Sequence, residues 1–312
     1  MIAEQTYNCI VVLGPTASGK TRFACRLAFL LDGEIISADS RQVYKELNIG
    51  TGKDLEEYTV SGKRIPYYVI DIREPAEKFF LHNFMQECEK AFTEILSRNH
   101  LPVICGGTGL YLDSLYKDFS LTQIKENQVL REELENLSKD ELIIRLKQFP
   151  EQLREHADID SKKRVIRAIE VATFLQLNPH AIIPEKKPYR PYYIGINVSA
   201  EERKKLITER LKLRLENGLI DEVHSLLNKG ISHQRLEFLG LEYKFVSLFL
   251  QNRISRQELT DLLRTAIIQF SKRQMTWFRK MEKEGVKIHW LNKNDNPEKL
   301  IAELKNLFRI ID

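Results

Sequence analysis

Residues 14–21 read Gly-Pro-Thr-Ala-Ser-Gly-Lys-Thr, and this stretch decides the fold. The apolar run Cys9–Leu13 precedes it and predicts a buried parallel strand, while apolar residues at helical spacing from Phe23 to Leu31 predict a helix after it. A strand, a glycine-rich turn and a helix in this order are the context of a phosphate-binding P-loop. The turn aims backbone N–H groups at one centre, and the helix adds the positive end of its dipole. The sequence therefore predicts an α/β fold with a P-loop NTPase-like parallel sheet core.

Two side chains of this stretch have roles of their own in a P-loop. Lys20 is expected to reach the outer phosphate oxygens, and the hydroxyl of Thr21 is expected to bind Mg²⁺, the predicted cofactor. A glycine turn that arose by chance is the alternative, and the flanking strand and helix argue against it. The residues predicted to bind phosphate are Gly14, Thr16, Ala17, Ser18, Gly19, Lys20 and Thr21.

Composition narrows the class of protein. The chain has 312 residues, 43% of them hydrophobic, and a formal net charge of +4, which by itself does not indicate nucleic-acid binding. No apolar run approaches the ~20 residues of a membrane span, and no signal peptide is evident, so we expect a cytoplasmic protein without a membrane partner. The cysteines lack metal-ligand spacing and are expected to be reduced core residues. They are Cys9, Cys25, Cys88 and Cys105.

A second strand is predicted at 34–37, and polar residues follow it directly. Ligands of open α/β sheets collect at the carboxyl ends of strands, so Asp39, Ser40 and Gln42 should lie beside the P-loop. The position of Asp39 alone leaves three roles open. It is a helix N-cap, a partner of a Mg²⁺-bound water, or a general base that faces the bound phosphates.

Further strands are predicted at 67–71 and 101–105. The first ends in Asp71, which competes with Asp39 for a metal-orienting role. The second precedes a Gly-Gly-Thr-Gly turn at 106–109, which should reach the same sheet edge as the P-loop, so that the two turns enclose a ligand. Lys53, in another glycine-rich turn, either supplements the phosphate charge or is solvated.

Residues 117–190 are predicted to form an all-helical insertion in a core of 1–116 and 191–312. The insertion is charged, has helical periodicity at 128–135, 139–147 and 160–176, and lacks a strand signal. Lys163, Arg164 and Arg167 cluster on one face of its last helix. A solvated helix face and contact with a polyanion both explain this cluster.

After a strand at 192–198 the chain is mostly helical. Arg210 and Arg214 lie one turn apart on a predicted helix at 201–217. A long helix at about 256–282 carries Lys272 and Arg273 beside Trp277, a combination that suits RNA, although a helical Trp is also typical of a core. A strand at 286–291 and a helix at 297–308 complete the prediction.

Several stretches together resemble one family, the tRNA dimethylallyltransferases, also called tRNA isopentenyltransferases. The resemblance runs from residue 14 to about residue 280, in the family's order. Many nucleotide enzymes share the P-loop, whereas the stretches at 36–44 and 272–280 are much more specific. The resembling stretches are GPTASGKT at 14–21, ISADSRQVY at 36–44, IGTGK at 49–53, GGTGLYL at 106–112, DSKKRVIRAIEV at 160–171, GLIDEV at 218–223 and KRQMTWFRK at 272–280.

The resemblance implies transfer of a dimethylallyl group from dimethylallyl diphosphate to the exocyclic amine of the adenosine 3′-adjacent to the anticodon of tRNA, by a monomer. It implies that Asp39 is the general base, that Thr108 lines the channel where the substrates meet, and that Lys20 takes part in catalysis. Either Arg210 or Arg214 is implied to meet the diphosphate. The residues expected to contact tRNA are Asp39, Ser40, Arg41, Gln42, Lys163, Arg164, Arg167, Lys272 and Arg273.

The sequence also departs from the family pattern. Tyr67 and Tyr68 replace a His-His pair, Asp54 stands where a proline is usual, and an Ile-Gly-Tyr-Lys pattern is altered at 239–244. Three other functions share part of the motifs. These are an adenylate isopentenyltransferase that acts on free AMP, ADP or ATP, a small-molecule kinase, and an RNA-binding module with a vestigial P-loop. The insertion argues against the first, and the stretches at 36–44 and 272–280 argue against the second.

Overall fold

The computed structural model describes residues 7–155, 157–181, 189–292 and 297–308. The chain divides into two compact units, one of residues 1–116 and 188–312 and the other of residues 117–187. Each unit has an apolar core of its own. The boundaries are close to those of the expected core and insertion.

Strands make up the centre of the larger unit. A six-stranded sheet has the order β5-β2-β6-β1-β7-β8, and every pair in it is parallel, while β3 and β4 form a separate antiparallel hairpin. The α/β fold with a parallel sheet is therefore confirmed. The strands are β1 (Cys9–Leu13), β2 (Gly33–Ser37), β3 (Thr59–Val60), β4 (Lys63–Arg64), β5 (Tyr67–Tyr68), β6 (Leu101–Gly106), β7 (Pro191–Ile196) and β8 (Ile288–Leu291).

Helices account for most of the remaining described chain, and the predicted ones lie close to their predicted bounds. Short 3₁₀ turns occur at Leu55–Tyr58, Ser120–Gln123 and Glu151–Leu153. The helices are α1 (Lys20–Leu30), α2 (Leu81–Ser97), α3 (Gly109–Asp113), α4 (Gln128–Leu134), α5 (Lys139–Lys147), α6 (Lys162–Leu177), α7 (Ala200–Glu216), α8 (Leu219–Asn228), α9 (His233–Leu239), α10 (Leu241–Leu250), α11 (Arg256–Lys283) and α12 (Pro297–Leu307).

The central strands are continuous apolar runs because helices cover both faces of the sheet. All residues of β1 and β6 are buried, and α1 packs its buried face of Ala24, Leu27 and Ala28 against this sheet. All four cysteines are buried and free, as predicted. Within the described ranges, no helix is both long and apolar enough to cross a membrane.

The insertion unit has a small core between α4, α5 and α6. Leu134, Leu142, Leu146, Val165 and Ile169 form it, each of them almost fully buried. Ser138 caps α5 in a capping box with Glu141, which explains why that helix begins where the periodicity predicted.

Two parts of the prediction were wrong. The strand expected at 67–71 ends after Tyr68, because Val69 and Asp71 have positive φ angles of 63° and 55° that extended backbone does not allow. The chain there leaves the sheet, and the amide of Asp71 donates to the carbonyl of Gln42. Helix α9 was not predicted, although its cap, Ser232, is a usual helix start signal.

Candidate active site

The carboxyl edge of the sheet opens into a cavity of about 890 Å³. Strand register explains what lines it. Leu13 of β1 pairs with Gly106 of β6, so the turns that follow these two strands lie side by side. Ser37 of β2 pairs with Cys105, which brings the residues after β2 to the second turn. Both glycine-rich turns and the segment from Asp39 to Gln42 therefore line one cavity.

The first turn has the backbone geometry of a phosphate-binding nest. Ala17 and Gly19 have φ angles of 62° and 77°, and Gly19 directly precedes α1. Gly14 is needed for close packing, since a Cβ there would lie 2.7 Å from the Ser18 hydroxyl oxygen. That oxygen is buried and has no hydrogen-bond partner among the described residues. The turn thus presents backbone N–H groups at the positive end of α1.

Two cationic side chains flank this turn. The Lys20 ammonium donates to the carbonyl of Pro15 at 3.4 Å, and burial lowers its pKa although nearby Cys105 and Asp39 favour the charged form. The Arg210 guanidinium donates to the Thr16 hydroxyl. Burial, and secondarily Arg214, lowers the pKa of Arg210 to about 10, so it stays charged at neutral pH. Neither cation is ion-paired with a carboxylate of the described chain.

Arg214 lies one helical turn further along α7, in a different environment. Its side chain is 9% exposed, 3.8 Å from a Glu242 oxygen and 4.0 Å from an Asp54 oxygen. Its Nη2 makes no hydrogen bond within the described ranges. Gly52 makes room for it, because a Cβ there would lie 1.8 Å from that nitrogen. Arg210 therefore contacts the glycine-rich turn at 14–21 directly, through Thr16. Arg214 instead belongs to a cluster with two carboxylates.

Asp39 lies two residues after Ser37, the last residue of β2. Its Oδ1 accepts from the Arg41 amide at 2.9 Å, and its Oδ2 makes no hydrogen bond within the described ranges. Beside it, the Thr108 hydroxyl accepts from the Ser40 amide at 3.0 Å. Gln42 joins this segment to the neighbouring loop, because its side-chain amide donates to the Gly52 carbonyl at 3.0 Å. Asp39 is not a helix N-cap here, and one of its oxygens is available to a ligand.

Gln274 of α11 connects the two glycine-rich turns, which sequence reasoning missed. Its Oε1 accepts from the Thr16 amide at 2.8 Å, and its Nε2 donates to the Gly107 carbonyl at 2.9 Å. Gly107 must be glycine for this approach, since a Cβ would lie 2.4 Å from that Nε2. Gln274 lies in the stretch KRQMTWFRK, but no local pattern there distinguishes it from an exposed glutamine.

Trp277, one turn beyond Gln274, is half-buried in the cavity wall. Its indole N–H donates to Asp113 at 3.0 Å, and its ring packs against Gly109 so closely that a Cβ there would lie 2.3 Å from it. Lys272 and Arg273 are both exposed, and Arg273 lines the cavity. Trp277 is therefore a structural wall of the cavity.

A carboxylate fixes the loop between β2 and the first 3₁₀ turn. Glu222 accepts from the backbone amides of Asn48, Ile49 and Gly50 at 2.7–3.0 Å and from the Tyr243 hydroxyl at 2.7 Å. The loop is thereby held against the cavity as a fixed wall.

Both predicted roles of Lys53 were wrong, as was the metal-orienting role of Asp71. The Lys53 side chain is 1% exposed, forms an ion pair with Asp71, and donates to the Tyr44 carbonyl at 2.7 Å and to Asn48 at 3.0 Å. Asp71 does not line the cavity. The left-handed turn at Asp71 points its carboxylate toward the loop, so this pair stabilises the loop and binds no phosphate.

Replacing this lysine should therefore affect stability. We expect Lys53→Ala to lower the free energy of unfolding by about 3 kcal/mol, the lower end for a broken buried ion pair, because Asp71 remains 33% exposed and partly solvated. Lys45→Ala is the matched control, since Lys45 and Glu74 form an ion pair with side chains 49% and 54% exposed. Such surface pairs contribute about 0–1 kcal/mol. Equal denaturant midpoints for the two variants would contradict the assignment.

The basic residues of the insertion differ from one another. Arg167 is half-buried and donates to the carbonyls of Leu121 and Ile124, so it supports its own unit. Arg164 is exposed but forms ion pairs with Asp158 and Asp160 at 2.8 and 3.1 Å. Lys163 is exposed and has no ion pair within the described ranges. The three residues of the predicted cluster therefore have different surroundings, and both interpretations of the cluster stay open.

The fold and the cavity define a P-loop-like α/β protein in which the glycine-rich turn at 14–21 and the Asp39 carboxylate line one cavity. A sequence model described as IPP transferase matches residues 42–281, and one described as isopentenyl transferase matches residues 7–74. The chain belongs to the IPP transferase family.

Individual relatives agree with this. The chain is 46% identical to tRNA dimethylallyltransferase 1 of Azobacteroides pseudotrichonymphae over 92% of this chain and 94% of that protein. A crystal structure of tRNA delta(2)-isopentenylpyrophosphate transferase from Staphylococcus epidermidis is 32% identical, with a TM-score of 0.67 over 96% of this chain and 98% of that one. A structure of a eukaryotic dimethylallyltransferase acting on tRNA is 22% identical, with a TM-score of 0.80 over 97% of this chain and 80% of that one, and supports the fold alone. The predicted P-loop-like fold is confirmed.

Proposed function

We propose that this protein transfers a dimethylallyl group from dimethylallyl diphosphate to the exocyclic amine of the adenosine 3′-adjacent to the anticodon of tRNA. One observation carries the proposal. A carboxylate with a free oxygen, Asp39, shares a cavity with a P-loop and two cations that lack acidic partners in the described chain, Lys20 and Arg210. A base and a leaving-group site are the two requirements of this reaction.

The reaction forms a C–N bond and breaks the C–O bond between the dimethylallyl carbon and the diphosphate. An adenine amine is a poor nucleophile because its lone pair is delocalised into the ring. A carboxylate that takes the amine proton as the bond forms removes this obstacle. Asp39 is suited to the task, since its Oδ1 is fixed by the Arg41 amide while its Oδ2 is available to the amine.

Negative charge grows on the diphosphate as the C–O bond breaks. The amides of the P-loop, Lys20 and Arg210 supply fixed positive charge at that place, which lowers the barrier without reorganisation. Arg214 contributes a further charge nearby, but Asp54 and Glu242 partly neutralise it. Arg210 is thus the better candidate for direct contact with the diphosphate.

Mg²⁺ fits the donors that the cavity offers. Within the described ranges, no group of three or more His, Cys, Asp or Glu side chains is arranged to hold a metal ion. Mg²⁺ commonly keeps several waters and uses one or two protein ligands together with substrate phosphates. The Thr21 hydroxyl, which lines the cavity next to Lys20, would be such a ligand. The ion would neutralise charge on the diphosphate.

The acceptor adenosine has to reach Asp39 inside the cavity, which requires the base to leave the anticodon-loop stack. Ser40, Arg41 and Gln42 follow Asp39 along the cavity wall, and Thr108 fixes this segment through the Ser40 amide. These residues are suited to hold the flipped nucleotide. Lys272 and Arg273, both exposed on α11, are candidates for contacts with RNA phosphates, and Arg273 lies at the cavity wall.

We propose that the insertion unit contacts the anticodon arm, and that Lys163 contributes more than Arg164. Replacing Lys163 with Ala should weaken tRNA binding and lower the slope of log affinity against log salt concentration by about 1, as expected for one lost phosphate contact. Arg164→Ala should have a smaller effect, because Asp158 and Asp160 already neutralise Arg164.

Lys147→Ala is the charge-matched control, since Lys147 is an exposed lysine of the same unit without an ion pair in the described chain. Arg167 is left in place because its removal would free two carbonyls. Binding is measured by filter retention at several salt concentrations. Equal slopes of log affinity against log salt concentration for Lys163→Ala, Lys147→Ala and the unaltered protein would show that Lys163 is a solvated residue without an RNA contact.

The proposal is tested by supplying dimethylallyl diphosphate and Mg²⁺ with either total tRNA or AMP, and measuring the mass of the products. We expect a dimethylallyl adduct on tRNA alone, formed by a monomer in a cytoplasmic setting. An adduct on AMP alone would indicate an adenylate isopentenyltransferase. Binding of tRNA without any adduct would indicate an RNA-binding module, and phosphate transfer from ATP to a small molecule would indicate a kinase.

A further inference from the structure

Helix α9 carries an aromatic side chain, Phe238, that is partly exposed to solvent. Leu236 and Leu239 are fully buried, whereas Phe238 is 47% exposed. The helix is well anchored, since the Ser232 hydroxyl accepts from the Arg235 amide at 3.1 Å. A rigid helix therefore holds a phenylalanine ring at the surface.

Two guanidinium groups lie over this ring. The Arg41 Cζ is 5.4 Å and the Arg235 Cζ is 5.0 Å from the centroid of the Phe238 ring. Arg235 also lies 5.4 Å over the ring of Tyr44, which is fully buried. Arg235 donates to the carbonyls of Pro75, at 2.7 Å, and Glu77. A continuous stack, here named the Phe238 platform, joins Tyr44, Arg235, Phe238 and Arg41 from the interior to the surface.

The platform lies at the rim of the cavity. Arg41, two residues after Asp39, lines the cavity. Glu237 and Leu239, which flank Phe238 in the sequence, line it as well. A group that stacks on the platform therefore sits beside a group that enters the cavity to reach Asp39.

The charge of the platform indicates the chemistry of its partner. The side chains of Arg41 and Arg235 are not ion-paired with any described carboxylate. An exposed ring among uncompensated guanidinium groups is the arrangement that single-stranded nucleic acids require, because bases stack on aromatic and guanidinium planes while phosphates neutralise the cations.

We infer that the Phe238 platform stacks an unpaired nucleobase next to the adenosine that enters the cavity. The inference rests on the proposed function for the identity of the RNA. The platform orders the neighbouring base while Asp39 acts on the flipped one, and so it holds the anticodon loop in its opened form.

The test uses an anticodon stem-loop RNA in which 2-aminopurine replaces, one position at a time, the bases on either side of the target adenosine. Stacking on an aromatic ring quenches 2-aminopurine fluorescence. We expect quenching by the unaltered protein and by Phe238→Trp, and its loss in Phe238→Leu with about 5- to 100-fold weaker RNA binding. The KM for dimethylallyl diphosphate should not change. Phe80→Leu is the control, since Phe80 is 46% exposed on another helix end.

Each outcome decides between the alternatives. Equal RNA affinity and equal quenching for Phe238→Leu and Phe80→Leu would overturn the platform. Loss of affinity in both Phe238→Leu and Phe238→Trp would also overturn it, because an aromatic replacement preserves stacking. Since binding is measured without dimethylallyl diphosphate, an unaltered protein that binds and quenches but forms no adduct would contradict the proposed reaction and leave the platform supported.

Discussion

Asp39→Asn is expected to lower kcat by about 10²–10⁴-fold, the usual contribution of a general base, with little change in KM for either substrate. The asparagine side chain keeps an oxygen that accepts from the Arg41 amide, as Asp39 does at 2.9 Å, so the local turn survives. What it lacks is a carboxylate oxygen that can take the amine proton. Single-turnover measurements with saturating tRNA and dimethylallyl diphosphate report this step directly.

The pH profile separates catalysis from structure. A general base gives the rate a low-pH limb, because its carboxylate must be ionised, and Asp39→Asn should lose that limb. Asp71→Asn is the matched control, since Asp71 pairs with Lys53 and lies outside the cavity lining. It should lower thermal stability and retain the rate. A near-normal single-turnover rate for Asp39→Asn together with a loss for Asp71→Asn would require the two roles to be exchanged.

Lys20→Met should lower kcat by about 10²–10³-fold, the scale of removing a fixed group that stabilises developing charge, and should raise KM for dimethylallyl diphosphate. Lys20 lies in the phosphate turn without a carboxylate ion pair in the described chain, so its charge is available to the leaving group. Affinity for tRNA should survive. Steady-state kinetics and tRNA retention on filters measure the two effects separately.

The pKa of Lys20 adds a second signature. Because burial lowers this pKa, the free protein loses the Lys20 charge at a lower pH than an exposed lysine does. Affinity for dimethylallyl diphosphate should therefore fall as pH rises through that pKa, and Lys20→Met should not show this fall. Lys205→Met, a change at a 74% exposed lysine of α7, is the control. Normal kinetic constants in Lys20→Met would contradict the proposal that the turn at 14–21 binds the diphosphate.

Much of the candidate site could be predicted because its residues come directly after strands of the parallel sheet. Lys20, Asp39 and Thr108 each come shortly after an apolar strand, and parallel strands bring their carboxyl ends to one edge. Local order along the chain was enough to place them together. The sequence also predicted the insertion helices, since their periodicity and caps are local signals.

Other parts could not be predicted because they depend on partners far along the chain. Gln274 bonds Thr16 across 258 residues, and nothing local distinguishes it from an exposed glutamine. Arg210 and Arg214 share one face of α7, so the choice between them depends on which turn of the helix lies beside the P-loop. Lys53 was misjudged because lysines in glycine-rich turns are usually solvated, and its burial depends on the left-handed turn at Asp71.

The cluster of Arg214, Asp54 and Glu242 couples positions that are far apart in the sequence. Asp54 stands where the family usually has proline, and Glu242 lies in the altered 239–244 stretch, yet both are within 4.0 Å of Arg214. Two departures from the family pattern that are far apart in sequence therefore contact the same arginine. Removing the Arg214 charge leaves Glu242, whose side chain is 16% exposed, without its cation, whereas removing Asp54 leaves Arg214 paired with Glu242. Substitutions at the three positions should therefore be non-additive in their effects on stability. A substitution at any one of these positions changes the electrostatic surroundings of the other two, beside the cavity.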